Sequence, residues 1–258
     1  MRKIFSHFPS LGQVLFEGPG LYSVIKVIKK DGRINLYTGK GFLRSSISRR
    51  ETLRGGHSDW FLAAPWFSGN FECNLDSLLI LGLGAGSEVP LYNQVYEVKK
   101  ITGVEIDPLI IDLGKKYFGL DIPNLKVING DADLFLDTTK DTYNQVILDT
   151  FKEDIFEKNC QSSPFLHKIR SHLTSDGVFF VNRVSGDSSN REMERELKKV
   201  FNTVVTLRIR NNIFFIATNS LRAPKTSVGV QQLLLKASES HPALGFFRTL
   251  KSKDIKVL

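Results

Sequence analysis

The order of apolar and polar positions changes about 75 residues into the chain. Up to that point, short runs of alternating apolar and polar residues are separated by turn signals, a pattern typical of antiparallel strands. The pair Asp31-Gly32 lies between two such runs and can supply the positive φ angles that a tight hairpin turn demands. A small antiparallel sheet is therefore expected, with strands over residues 13–17, 21–29, 33–38 and 42–45.

From Ser77 onward, apolar strands alternate with longer amphipathic segments, which indicates βαβ units and a parallel sheet. Pro108 directly after Asp107 marks a helix start, and that helix is expected over residues 108–116. Turn-forming residues at 210–212 favour an antiparallel hairpin at the end of the sheet. The predicted strands cover residues 78–81, 101–105, 125–129, 146–149, 178–182, 204–208 and 213–218.

Further helices complete this prediction. Residues 57–67 are rich in Trp and Phe and are expected to form a short aromatic helix that packs the first sheet on the next domain. Another helix is expected to carry Leu166, Ile169 and Leu173 on one face and to close at Asp176-Gly177. A short helix is also expected over residues 230–237.

Together these elements predict an α/β fold. Its Rossmann-like, methyltransferase-type sheet is mostly parallel, with an antiparallel hairpin at the end and a small N-terminal β-hairpin domain in front. The expected parts are an N-terminal antiparallel domain with the aromatic helix (residues 1–75), the Rossmann-like domain (76–220) and a C-terminal extension (221–258).

Composition and charge narrow the class of protein. A length of 258 residues, with 41% hydrophobic and 24% charged residues, suits one globular α/β core with a modest appendage. No apolar run approaches the roughly 20 residues that span a bilayer, so a soluble cytoplasmic protein without a membrane partner is expected. Cys73 and Cys160 lack the spacing of a disulfide framework or a zinc site, so we expect reduced thiols and no metal.

The formal net charge of +8 leaves a nucleic-acid partner open. It does not favour one, because the Lys and Arg residues are scattered in small groups along the chain. A solvated basic surface explains such groups.

The candidate chemistry begins at Gly82-Leu83-Gly84-Ala85-Gly86, between a predicted strand and a predicted helix. The glycines let the backbone turn sharply and approach a ligand, and the helix N-terminus presents free N–H groups. On its own, such a turn is equally consistent with a purely structural role.

Acidic residues follow the next three predicted strands. Glu105 ends the second strand, where a carboxylate can accept hydrogen bonds from both hydroxyls of a ribose. Asp131 follows the third strand, where an adenine amino group needs an acceptor, and Asp149 ends the fourth. Because open α/β sheets bind ligands at the carboxyl ends of their strands, this order predicts a nucleoside site. The alternative is an array of helix caps.

The order of these motifs resembles the spermidine-synthase-like family of S-adenosylmethionine-binding Rossmann proteins, from about Tyr22 to Thr218. The matching segments are residues 79–86 (LILGLGAG), 104–108 (VEIDP), 130–136 (GDADLFL) and 143–149 (YNQVILD). A small N-terminal β-hairpin domain is also what that family has. By analogy with the family, a homodimer is expected.

The resemblance implies roles for the site residues. Glu105, with Ile106 beside it, would hold the ribose. Asp131 together with Ala132 would hold the adenine, and the glycine turn would hold the thioether end. Asp149 would correspond to the acid that receives the proton of the attacking amine.

Two departures from the family pattern concern the polyamine. Family aminopropyltransferases have an Asp where this chain has Ala85, and the second Asp of their Asp-Ser-Ser-Asp loop corresponds to Lys152. These changes are expected to weaken attraction for a polycation by about 1 kcal/mol or more per contact. The Ala at position 85 is also expected to relieve a clash that an Asp would make with the carboxylate of the cofactor. Lys152 is expected to pair with that carboxylate or with an acidic substrate, or else to face solvent.

The sequence therefore predicts an S-adenosylmethionine-dependent transferase without a metal. The first hypothesis is a methyltransferase in which Asp149 orients or deprotonates the acceptor. One alternative is an aminopropyltransferase (spermidine synthase) that uses decarboxylated S-adenosylmethionine. The other is a non-catalytic nucleoside-binding module, in which Asp149 only caps the following segment. The acceptor cannot be read from the sequence, because loops form acceptor pockets.

Overall fold

The computed structural model describes residues 12–39, 41–48, 53–69, 74–152, 155–156 and 158–258. It begins with the expected antiparallel sheet, in which four strands pair in chain order. Asp31 and Gly32 have φ angles of 50° and 76° in the hairpin turn between the second and third strands. The strands of this N-terminal sheet are β1 (Gln13–Pro19), β2 (Val24–Lys30), β3 (Arg33–Thr38) and β4 (Phe42–Ser48).

A larger sheet follows in the chain. The further strands in the described residues are β5 (Asn74–Leu81), β6 (Glu97–Glu105), β7 (Leu125–Asn129), β8 (Tyr143–Leu148), β9 (Phe151–Lys152), β10 (Ile155–Phe156), β11 (Leu173–Val184), β12 (Thr203–Ile209), β13 (Asn212–Thr218) and β14 (Ile255–Val257). Eight of them form one sheet in the order β14-β12-β13-β11-β8-β5-β6-β7, whereas β9 and β10 pair with each other.

The large sheet has the expected direction pattern. Strands β5, β6, β7, β8 and β11 are parallel, and β12 and β13 form an antiparallel hairpin. The predicted α/β fold class is therefore confirmed. The connecting α-helices in the described chain are α1 (Glu88–Val95), α2 (Pro108–Leu113), α3 (Ala132–Thr138), α4 (Ser163–Ser171), α5 (Asn190–Val200) and α6 (Ser227–Ser240).

The predicted end of the helix before β11 is wrong. Helix α4 ends at Ser171, and Leu173 already pairs with Tyr143 of β8. The His172 ring nitrogens lie 2.9 Å from the carbonyl oxygens of Asp141 and Leu136, which can only accept a ring N–H, so the residue after α4 is tied to the chain that precedes β8. Asp176-Gly177 instead lies inside β11, where the pairing register shifts between residues 173 and 178.

The helix after Asp107 begins as expected but changes type. The Asp107 side chain caps it by accepting a bond from Leu109 N at 2.9 Å. The α-helix covers Pro108–Leu113, and a π-helical segment, Gly114–Phe118, continues past the predicted end at residue 116. Gly114 packs closely on the glycine turn, because a Cβ there would lie 3.3 Å from Ala85 Cα.

The C-terminal residues contribute more than the predicted short helix. Helix α6 covers Ser227–Ser240 and is followed by a 3₁₀ helix, Pro242–Thr249. Strand β14 then pairs antiparallel with β12, so it lies at the edge of the large sheet beyond the predicted hairpin. The domain limits at residues 75 and 220 stay a prediction.

The core has two layers, one on each face of the large sheet. Alternate residues of β5 separate accordingly: Leu78 and Ile80 belong to one apolar cluster, Leu79 and Leu81 to the other. The aromatic segment forms a 3₁₀ helix, Ser58–Ser68, whose side chains lie in the first cluster. It thus packs mainly on the large sheet, with contacts to β8, β11 and β13.

Two smaller observations concern cysteines and membranes. Cys160 is buried and is not part of a disulfide within the described residues, and Cys73 lies outside them. Among the helices of the described chain, none has the length and apolar character required to cross a bilayer.

Candidate active site

A cavity of about 910 Å³ lies at the carboxyl ends of the parallel strands, under the N-terminal sheet. Eight of the nine predicted site residues line it, and Gly86 does not. Gly86 serves packing, because a Cβ there would lie 2.0 Å from Leu120 Cδ1. The lining residues among the predicted set are Gly82, Leu83, Gly84, Glu105, Ile106, Asp131, Ala132 and Asp149.

The glycine turn is fixed by bonds to its neighbours. Gly82 N and Leu83 N both donate to Val104 O at 2.9 Å, and Gly84 N donates to Glu105 Oε2 at 2.9 Å. Ser45 of β4 accepts a bond from Ala85 N at 3.0 Å through its Oγ. The turn is therefore held from both sheets, and helix α1 begins two residues after it.

Glu105 is buried with its carboxylate against the turn. Its Oε1 accepts from Asp107 N at 3.0 Å while Oε2 accepts from Gly84 N. Burial raises the pKa of Glu105, although these backbone bonds act in the opposite direction. Each carboxylate oxygen can accept more than one bond, so both can also receive ribose hydroxyls.

Asp107 is a site residue whose full role the sequence did not indicate. Besides capping α2, it accepts a bond from Leu21 N at 2.7 Å through Oδ2. It thus joins the N-terminal sheet to the end of β6. In the sequence, Pro108 directly after Asp107 predicted only that a helix begins there.

Asp131 caps helix α3, as the structural alternative proposed. Its Oδ1 accepts from Asp133 N at 2.9 Å and Leu134 N at 3.1 Å. The side chain is exposed and lines the cavity, and Ala132 beside it is buried. A Cβ on Gly130 would have no neighbour within 4 Å, so this end of the cavity has room for a flat ring.

Asp149 follows β8 directly and is oriented by a chain of two amides. Asn182 Nδ2 donates to Asp149 Oδ1 at 2.9 Å, and Asn212 Nδ2 donates to Asn182 Oδ1 at 2.8 Å. Burial raises the pKa of Asp149, while the Asn182 bond and the nearby His57 and Arg44 lower it. Asn182 was missed, although a polar residue at the end of the predicted strand 178–182 was a signal for it.

Two basic residues lie at the Asp149 end of the cavity. Arg44 of β4 donates from Nε to Thr38 Oγ1 at 2.8 Å, and its Cζ lies 5.7 Å from the centroid of the Phe151 ring. His57 lines the same region. The sequence could not show which way either side chain faces, because both precede the Rossmann-like core and reach the site only through the fold.

Of the two departures from the family pattern, the structure describes the side chain of one, Ala85. The Ala85 methyl is fully buried in a third apolar cluster with Ile25, Val27 and Phe118, and it is not among the residues lining the cavity. Relief of a clash at this position therefore does not explain a cofactor preference. The Lys152 side chain lies outside the described part of the structure.

A search of the described residues finds no group of three or more His, Cys, Asp or Glu side chains arranged to hold a metal ion. The carboxylates at the strand ends instead bond to backbone N–H groups or to Asn182. These residues offer acceptors for hydroxyl and amino hydrogens at one end of the cavity. At the other end they offer an oriented carboxylate, with Arg44 and His57 in the same lining.

Known proteins that are similar to this chain bear the names of transferases. A family model described as "Spermine/spermidine synthase domain" matches residues 67–218. A Bifidobacterium longum protein named "Probable polyamine aminopropyl transferase" is 33% identical over 170 residues, which cover 65% of this chain and 36% of that protein. This chain spans less than half the length of the curated relatives that it matches first.

Solved structures agree on the fold. A probable spermidine synthase from Corynebacterium glutamicum superposes with a TM-score of 0.69 at 19% identity, over 85% of this chain and 86% of that one. Human methyltransferase-like protein 13, solved in complex with S-adenosylhomocysteine, gives a TM-score of 0.60 at 22% identity, over 75% of this chain and 92% of that one. Because the family model covers more than half of the sequence, this chain belongs to the spermine/spermidine synthase domain family.

Proposed function

We propose that this protein transfers a methyl group from S-adenosylmethionine to an acceptor that is not a polyamine, with Asp149 as the proton acceptor. The observation that carries this proposal is Arg44, which lines the cavity with Asp149 and places a guanidinium charge where a polyamine would have to react. Two like charges about 4 Å apart repel by about 1 kcal/mol in water and about 4 kcal/mol near a protein surface. A polyamine dication would meet that repulsion where it must react.

The residues at the other end fit an adenosyl group. Glu105 presents a carboxylate whose oxygens retain acceptor capacity, and Asp131 uses only Oδ1 for its helix cap. Because Gly82 and Gly84 have no side chains, the backbone of the turn can approach a ligand that lies between Glu105 and Asp131. When bound there, S-adenosylmethionine supplies an activated methyl group on a sulfonium.

Asp149 would remove the proton that the acceptor loses. Methyl transfer needs the nucleophile, the methyl carbon and the sulfur in line, and the new bond forms as the carbon–sulfur bond breaks. The electron pair of that bond would remain on the sulfur of the departing S-adenosylhomocysteine, and the Asp149 carboxylate would take the proton of the nucleophile. Asn182 holds this carboxylate in one orientation, and the raised pKa of Asp149 makes it a stronger base than an exposed aspartate.

Aminopropyl transfer is the second candidate, and the name of the Bifidobacterium relative favours it. Calorimetric titration with S-adenosylmethionine and with its decarboxylated form separates the two functions. We expect tighter binding of S-adenosylmethionine. Product analysis with a panel of amines, carboxylates, thiols and putrescine should then show S-adenosylhomocysteine.

Two results would count against the proposal. Tighter binding of the decarboxylated form, or release of 5′-methylthioadenosine with putrescine, would establish aminopropyl transfer. Cofactor binding without turnover of any acceptor would favour the non-catalytic module.

Replacing Glu105 with Gln should weaken S-adenosylhomocysteine binding about 10- to 100-fold. The substitution removes the negative charge and replaces one acceptor oxygen with an NH2 group. That group then faces the backbone N–H of Gly84 or Asp107, so two donors oppose each other. Glu97→Gln, at the exposed start of the same strand, is the matched control and should bind normally. Equal affinities of the two variants in calorimetric titration would show that Glu105 does not hold the ribose.

Replacing Asn182 with Ala should move the acidic limb of the pH–rate profile to higher pH. The Asn182 bond lowers the pKa of Asp149, so its loss raises that pKa further and protonates the base at a higher pH. We expect turnover at pH 7 to fall by about 3- to 30-fold. Asn93→Ala, which removes an exposed amide pair with Asn124, is the control. An acidic limb at the same pH in Asn182→Ala and in the wild type would show that Asn182 does not influence the pKa of the base.

A further inference from the structure

We propose that Arg44 binds the carboxylate of S-adenosylmethionine and so selects it over the decarboxylated form. This inference rests on the proposed function and names the residue that would enforce its cofactor choice. It assigns a binding role to a residue of the N-terminal sheet, outside the strand-end motifs that the sequence singled out.

The first argument is position. Ser45, the residue next to Arg44 in β4, bonds to Ala85 N in the glycine turn at 3.0 Å. A Cβ on Gly84 would also lie 3.0 Å from Ser45 Oγ, so β4 rests directly on the turn. Arg44 lines the cavity beside this contact.

The second argument is the order of groups along the cavity. Glu105 marks the ribose end, the glycine turn lies next to it, and Asp149 marks the transfer end. Arg44 Cζ lies 5.7 Å from the centroid of the Phe151 ring, two residues after Asp149, and all three residues line the cavity. The amino-acid part of S-adenosylmethionine, which extends from sulfur away from the ribose, would therefore enter the region of the Arg44 guanidinium.

The third argument is preorganisation. The bond to Thr38 Oγ1 and the Phe151 ring restrict the Arg44 side chain before any ligand arrives. A guanidinium presents five N–H donors in a planar fork, whose geometry matches the two oxygens of a carboxylate. A ligand without the carboxylate presents only an ammonium group, which the guanidinium repels.

Arg44→Met tests the inference by calorimetric titration with S-adenosylmethionine and decarboxylated S-adenosylmethionine. We expect affinity for S-adenosylmethionine to fall at least about tenfold, and affinity for the decarboxylated form to stay within about threefold or improve. Arg33→Met is the matched control, since Arg33 of β3 also donates from Nε to a hydroxyl, Ser46 Oγ at 3.0 Å, but does not line the cavity. It should leave both affinities unchanged.

Arg44→Lys provides a second variant in case the Met variant does not fold. It keeps the charge but loses the forked donors, so a smaller loss, confined to S-adenosylmethionine, is expected. Equal losses for both ligands, or no loss for either, would overturn the role of Arg44.

The outcomes also separate this inference from the proposed function. Wild-type protein that binds the decarboxylated form more tightly would refute the methyltransferase proposal, whatever Arg44 does. Wild-type protein that prefers S-adenosylmethionine, with the same preference in Arg44→Met, would refute only the role of Arg44. A variant that binds both ligands normally but loses activity on a carboxylate acceptor would place Arg44 at the acceptor and also overturn the inference.

Discussion

Turnover of an Asp149→Asn variant is expected to fall by about 10²- to 10⁴-fold, the usual contribution of a general base. The amide cannot accept the proton, but its oxygen can still accept the bond from Asn182 that orients the side chain. Affinity for S-adenosylhomocysteine should therefore stay within about threefold, because the residues proposed to hold the ribose and the adenine are at the other end of the cavity.

The measurement is formation of S-adenosylhomocysteine with the acceptor that the panel identifies, together with calorimetric titration. Asp141→Asn is a control, because Asp141 is exposed and pairs with Lys100 on the surface. Normal turnover in Asp149→Asn would exclude Asp149 as the base. A parallel loss of cofactor affinity would make it a binding residue instead.

The pH dependence follows from the raised pKa of Asp149. Activity requires the ionised form, so it should be lost as the pH falls through a pKa above the ordinary aspartate range. The free energy of unfolding changes with pH in the opposite direction. The folded protein holds the Asp149 proton more tightly than the unfolded chain, so the protonated carboxyl favours folding at low pH. This contribution to stability disappears as the pH rises through the folded-state pKa. Asp149→Asn should therefore be slightly more stable than the wild type at pH 7.

Gly82→Ala should be the most disruptive single change in the glycine turn. Gly82 has a φ angle of 86°, and a Cβ there would lie 2.5 Å from the carbonyl oxygen of Asp149 and 2.8 Å from its carbon. Both neighbours are backbone atoms that cannot swing aside. We expect a loss of about 2 to 4 kcal/mol in the free energy of unfolding, and displacement of the Asp149 segment.

Chemical denaturation measures this loss. Gly130→Ala is the matched control, because Gly130 also lies after a strand of the sheet but has open space where a Cβ would go and no positive φ angle. It should change stability by less than about 0.5 kcal/mol. Equal stabilities of the two variants would mean that the turn around Gly82 can relax.

The sequence predicted the parallel core well because local patterns determine it. Strand β7 was predicted to the residue, and the strand-end residues Glu105, Asp131 and Asp149 meet at one cavity because parallel strands place their carboxyl ends together. The early end of α4 was missed, since Leu173 continues the helical spacing while its pairing with Tyr143 depends on a distant strand.

The other omissions also come from long-range contacts. The position of Arg44 relative to Asp149 depends on how the N-terminal sheet docks, which no local pattern encodes. The same docking buries the Ala85 methyl, so a substitution that suggested a change in the ligand pocket lies in an apolar cluster instead. Motifs thus indicated the end of the cavity that holds Glu105 and Asp131, and tertiary packing brings Arg44 to the end that holds Asp149.

The bond between Ser45 Oγ and Ala85 N gives the molecule an internal reporter. Ala85 is buried and the acceptor of its amide belongs to the N-terminal sheet, so exchange of the amide hydrogen requires this contact to open and to admit solvent. The exchange rate of the Ala85 amide hydrogen therefore reports how often the N-terminal sheet opens from the glycine turn. A cofactor held at Glu105 and at Arg44 would span both sheets and slow that exchange, whereas a ligand held by the Rossmann-like core alone would leave it unchanged.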